Sequence, residues 1–253
     1  MTQDQLFTFL LRMGDHSMII GQRLAEWCSK AHILEEDIAL ANISLDHFGQ
    51  ADAWYKYAAE VEGKGRTHDD LAFKRDEREF YNFLICELPN GHYGDTIARQ
   101  FLYDVFHVLQ LQELIKSSDD RTAGIAAKGL KEAQYHVMHS TQWMLRLGDG
   151  TEDSHHKMQE SINNTMPFTG DIFEMDDVDT AVFENGIGYD AAALKGEWLQ
   201  KVLEVLDEST LEMPENEFRQ SGSKKGIHTE HLGHLLSEMQ ILQRSYPDWK
   251  WDA

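Results

Sequence analysis

Residues 95–147 constrain the fold more than any other stretch. Two long helical patterns, Asp95 to Ser118 and Arg121 to Leu147, are separated only by Asp119 and Asp120. The first carries Phe101, Leu102, Val105, Phe106, Val108, Leu109, Leu114 and Ile115, and the second Leu130, Ala133, Val137, Met138, Met144 and Leu145. Apolar residues spaced three or four apart predict helices that each bury one side. So short a connection makes them antiparallel neighbours. Asp104, His107, Glu132 and His136 sit inside this apolar pattern. They are the residue types from which helix bundles build metal sites.

The chain has 253 residues, ample for a buried core. Four prolines suit a mostly helical fold, because proline breaks helix interiors. A formal charge of −21 argues against nucleic acid, whose phosphates need Lys and Arg, and against anionic membrane surfaces. It favours solubility or a basic partner patch. Cys28 and Cys86 lie in apolar or helical patterns and read as reduced packing residues. The N-terminus has no basic flank or cleavage signal, and no apolar run approaches the roughly 20 residues that span a bilayer. A cytoplasmic location is expected.

A capping box at Thr2 and Gln5 starts a helix that runs to about Ala31, and Gly14 and Gly21 within it suggest close helix approach. A second helix runs from Glu35 to about Gly63, its acidic start suited to the helix dipole. Ile38, Leu40, Ile43, Leu45, Phe48, Trp54 and Tyr55 surround it, as expected of a central helix. Asn42, Asp46 and Gln50 nevertheless make a polar stripe along it. The run Lys74-Arg75-Asp76-Glu77-Arg78-Glu79 reads as a solvated, self-paired face. Asp95 is expected to cap the third long helix and Thr151 a fifth, which Pro167 ends. Residues 171–190 read as an acidic surface excursion holding a short helix near Val178 to Glu184. Amphipathic helices are expected at Ala191 to Leu206 and at Thr229 to Tyr246.

Helical hairpins at 2–63 and 95–148, joined by one long crossover, predict an all-α, ferritin-like four-helix bundle with additional C-terminal helices over 151–253, all in a single domain. Di-iron members of that class take a Glu from one helix of each hairpin and Glu-x-x-His from the other. Here the pattern is in pieces. Three residues after Asp46 comes Gly49, three after Glu132 comes Tyr135, and Asp104 stands where Glu is usual. His136 lies one step too far round, and Gln22 falls level with Asp46. The shortfall favours a metal-free interior in which Gln22, Asp46, Asp104, Glu132 and His136 bond with one another. The rival is an active di-iron carboxylate oxygenase with the unusual ligands Asp46, Asp104, Glu132 and His136. His231 and His234 are three apart but lack the further ligands that zinc needs. Lys224 and Lys225, set among glycine and serine, form the one compact basic feature, either a solvated loop or an anion contact.

Several longer strings point to a family. They include Gly21-Gln22-Arg23-Leu24-Ala25-Glu26-Trp27-Cys28, Asp37-Ile38-Ala39-Leu40-Ala41-Asn42-Ile43, Asp95-Thr96-Ile97-Ala98-Arg99-Gln100 and Lys131-Glu132-Ala133. Lys224-Lys225-Gly226 and His228-Thr229-Glu230-His231-Leu232-Gly233 add to them. Over nearly its whole length the chain resembles the C subunits of bacterial ring-1,2-phenylacetyl-CoA epoxidases, multicomponent monooxygenases of aerobic phenylacetate breakdown. The resemblance implies a non-catalytic structural subunit that pairs with a homologous catalytic subunit. It implies no catalytic, cofactor or metal residue in this chain. The di-iron centre would belong to that partner, and FAD and iron–sulfur groups to a reductase fed by NADPH. Acyl-CoA at the subunit junction, contacted by Lys224 and Lys225, is a further expectation.

Overall fold

A computed structural model describes residues 1–216, 218–247 and 249, and among these the chain is all-α, without a strand. The helices are α1 (Gln3–Ala25), α2 (Leu34–Glu62), α3 (His68–Phe73), α4 (Leu84–Glu87), α5 (Tyr93–Leu114) and α6 (Asp120–Gly148). They continue as α7 (Glu152–Thr165), α8 (Asp177–Glu184), α9 (Ala191–Glu208), α10 (Glu230–Met239) and α11 (Ile241–Ser245). The chain divides into two compact units, one holding 83–221 and the other 2–82 with the residues from 222 onward.

In the unit that begins at Thr2, α1 and α2 form an antiparallel hairpin. The Thr2 hydroxyl accepts from Gln5 N–H, and the Gln5 side chain accepts from Thr2 N–H at 2.8 Å, completing the expected capping box. The two helices approach closely at Gly14, where an added Cβ would lie 2.4 Å from the Tyr55 ring. α1 stops six residues short of its expected end. Ser29 there takes φ 65°, and its N–H donates to both oxygens of Asp37, at 2.9 and 3.0 Å. Gly63, left-handed at φ 67°, ends α2. The expectation that α2 is enclosed on most sides is corrected. Leu34, Ile38 and Leu45 are 70%, 54% and 64% exposed, whereas Leu40, Ile43, Trp54 and Ala58 are buried. The last predicted helix is two pieces, α10 and α11, parted at Gln240.

In the other unit, α5 and α6 pair as a second hairpin, with α7 and α9 against α5. α5 starts two residues before Asp95. His92 Nδ1 caps it, and Asp95 completes the capping box by accepting from His92 N–H at 3.0 Å. The second oxygen of Asp95 accepts from Ser161 Oγ at 2.8 Å, fixing α7 to the start of α5. Asp119 caps α6 through Thr122 N–H at 2.7 Å. The expected surface excursion over 171–190 is instead partly core. Asp171 is buried and accepts from Leu84 N–H at 2.9 Å. Phe173 packs edge-on against Phe106 and Trp198, and Gln110 donates to the Tyr189 hydroxyl at 2.7 Å. Met138, expected inside, is exposed, as is Cys28 in the first unit; Cys86 is buried.

Candidate functional site

Helical spacing assembles the polar interior of the second hairpin. Asp104 and His107 are one turn apart on α5, and Glu132, His136 and Ser140 follow at steps of four on α6. Asp104, His107, His136 and Ser140 are buried, whereas Glu132 is only half-buried, 4.0 Å from Lys128 Nζ. Ser140 Oγ donates to Asp104 Oδ2 at 2.8 Å, while Asp104 Oδ1 accepts no hydrogen bond. Burial pushes the Asp104 carboxyl up to about 7, against the opposing pull of His136, the Ser140 hydrogen bond and Arg99. Burial likewise drives the His107 imidazole down to about 3, and the neighbouring His136 adds to the shift. Near neutrality this region therefore holds a neutral imidazole and a carboxyl that is partly protonated.

The first hairpin buries Asp15, His16, His47 and Gln50, but not the expected Gln22 and Asp46. Gln22 is half-buried, with its amide nitrogen 3.9 Å from the Met18 sulfur. It borders a cleft of about 300 Å³ with Met18, Phe48, Tyr55 and Phe73. Asp46 is half-buried, Asn42 exposed and Gln50 buried, so the polar stripe crosses the boundary of the unit instead of following its interior. Gly49, three residues after Asp46, has open space where a side chain would start.

Sequence reasoning missed the strongest buried polar cluster of this unit. Arg75, assigned to a solvated charge run, is 2% exposed and forms an ion pair with the fully buried Asp15. Its Nη1 lies 3.1 Å from Asp15 Oδ2 and 2.6 Å from the Glu79 carbonyl, and its guanidinium covers the Phe80 ring at 4.0 Å. Tyr55 OH and Tyr81 N–H donate to Asp15 at 2.6 and 2.8 Å. Burial, then the Asp15 charge, raises the Tyr55 phenol well above its ordinary value. The Arg75 carbonyl accepts from Gln240 Nε2 at 3.0 Å and Arg244 Nη2 at 2.7 Å. Four pieces of chain far apart in sequence thus meet at one buried charge pair. Every oxygen of that carboxylate is already bonded, so the cluster is structural. The signal that could have exposed it was Asp15, a lone carboxylate amid the apolar residues of α1.

Lys224 and Lys225 occupy a tight turn between Gly222 (φ 129°) and Gly226 (φ 67°). Lys225 is exposed and Lys224 half-buried. Gly226 lies so close to the chain that an added Cβ would meet the Arg78 carbonyl oxygen at 2.2 Å. The turn is held by His228 Nε2, 2.8 Å from the Phe80 carbonyl, and leads into α10, which Thr229 caps. The backbone carbonyl of His231 accepts from Arg23 at 3.2 Å, and the His234 side chain is exposed.

A family model described as "Phenylacetic acid catabolic protein" matches residues 1–251. The chain is 47% identical over 248 residues to the C subunit of the 1,2-phenylacetyl-CoA epoxidase of Escherichia coli (strain K12), covering 98% of this chain and 100% of that protein. No helix among the described residues is long and apolar enough to cross a membrane.

Proposed function

Because the chain belongs to the phenylacetic acid catabolic protein family, whose ferritin-like fold is all-α like this one, we propose that it serves as the non-catalytic structural subunit of a phenylacetyl-CoA epoxidase. It pairs with a homologous di-iron subunit in the cytoplasm and supports that subunit's shape. The epoxidation chemistry resides in the partner, and electrons reach it from NADPH through a reductase that carries FAD and iron–sulfur groups.

One observation carries the non-catalytic part of the reading: the donor set does not fit two irons. Gly49 and the exposed Tyr135 stand where the ligand histidines of Glu-x-x-His would be. One oxygen of Asp104 is held by Ser140, and Glu132 is half-buried beside Lys128. The rival reading, a di-iron oxygenase that uses Asp46, Asp104, Glu132 and His136, draws support from the unbonded Asp104 Oδ1 and from buried Asp104 and His136, which offer ligand atoms within 4.8 Å of each other. Metal analysis of protein expressed with added iron separates the two: stoichiometric iron favours the rival, and background iron the structural role.

Lys224 and Lys225 add a finer proposal, that they contact an acyl-CoA phosphate at the subunit junction. Lys224→Ala combined with Lys225→Ala is expected to weaken CoA affinity of the assembled complex. Unchanged affinity and turnover would remove this contact from the account and leave the structural role untouched.

A further inference from the structure

α2 packs against α1, and its seam through Leu40, Ile43, Trp54 and Ala58 is buried. A second apolar line runs along the outside of the same helix: Leu34, Ile38, Ala41 and Leu45, at steps of four, three and four. Half-buried Phe48 follows three residues later, and the Lys56–Asp52 ion pair at 2.8 Å closes the line. Single exposed apolar residues need no explanation, but a continuous line on one helix face does. Steps of four and three are the knob spacing with which one helix packs along another. From Leu34 to Leu45 the line extends about 16 Å at 1.5 Å per residue.

Charge narrows the occupant. Glu35, Asp37 and Asp46 flank the line, and no Lys or Arg occurs between Ala31 and Tyr55. An anionic lipid surface would be repelled. A second copy would bring the same acidic edges together in a chain whose formal charge is −21. What fits is an amphipathic helix with Lys or Arg beside its apolar stripe. We propose that the outer face of α2, along Leu34, Ile38, Ala41 and Leu45, is the docking surface for such a helix, supplied by another subunit of the epoxidase. This rests on the reading of the chain as a subunit of that complex.

The test uses the full chain and the co-expressed remaining epoxidase subunits, with affinity measured by titration calorimetry. Ile38→Glu combined with Leu45→Glu alters only exposed side chains. It is expected to keep the wild-type circular dichroism and melting curve and to lose about tenfold or more in affinity, as for the central residues of an interface. Glu35→Lys is expected to weaken binding further at low salt than at high salt. A photocrosslinking amino acid at exposed Asn42, beside the line, reads the same face without changing its apolar residues. It is expected to link to a Lys- or Arg-flanked helix of another subunit. Equal affinity of the double variant, or a cross-link to a second copy, would overturn the docking surface while the subunit reading stands. If the wild-type chain binds no other epoxidase subunit, both fall together.

Discussion

Asp104→Asn is expected to stabilise the protein, and to do so more at pH 8 than at pH 5. The Asp104 carboxyl titrates at about 7 in the fold against an ordinary value of 3.8. Between those values the native chain holds a proton that the unfolded chain has released. The stabilising contribution of neutral Asp104 is therefore full below about pH 4 and is lost as pH rises to about 7. At about 1.36 kcal/mol per pH unit, the loss amounts to about 4 kcal/mol. Asparagine is neutral at every pH, nearly isosteric, and keeps an oxygen for the Ser140 hydroxyl. Its NH2 group takes the place of Oδ1, which accepts no hydrogen bond in the native fold, so amide and neutral acid are comparably solvated. His107 titrates in the opposite sense: its value of about 3 makes the native chain release a proton that the unfolded chain keeps, so its stabilisation is present above about pH 6.5 and lost as pH falls towards 3. That contribution is common to both proteins and cancels in the difference. Urea unfolding of wild type and variant at a series of pH values and constant ionic strength measures the difference directly. A stability difference constant to within about 0.5 kcal/mol from pH 5 to 8 would refute the reasoning.

Two further substitutions test other parts of the fold. Arg75→Met strands the buried Asp15 with only its Tyr55 and Tyr81 donors. It should cost about 3–5 kcal/mol, the penalty for breaking a buried ion pair, read as a lowered denaturation midpoint; a loss no larger than that of Arg78→Met would contradict the burial argument. Gly226→Ala places a Cβ against the Arg78 carbonyl at a left-handed φ. It should cost about 1–3 kcal/mol, whereas Gly49→Ala, with open space at that position, should be neutral or slightly stabilising in the same assay.

The sequence was most informative where structure is set locally. Thr2, Thr151 and Gly63 mark helix ends through their own backbone and side-chain bonds, so the ends of α1, α2 and α7 could be read directly. The cap at α5 was misplaced because Asp95 and His92 bond reciprocally, and sequence alone does not say which of two bonded residues stands outside the helix. Arg75 was misread because its neighbours are all charged and its partner, Asp15, is sixty residues away. Apolar periodicity also overcounted the core. Ile38, Leu45 and Met138 obey helical spacing as well as Ile43 does, but periodicity alone cannot say which seam a chain fills itself and which it leaves exposed. For the candidate site, the missing ligands at Gly49 and Tyr135 were legible in the sequence. The neutralising surroundings of Asp104 were not, because they depend on how completely tertiary packing shuts that carboxyl away from water.

Iron per chain is the most direct measurement. The full chain, expressed alone with added iron and purified without chelator, is compared by elemental analysis with the assembled complex. The structural reading predicts background iron in the isolated chain and stoichiometric iron only when the catalytic subunit is present. Stoichiometric iron in the isolated chain, lost on substituting Asp104 or His136, would contradict it.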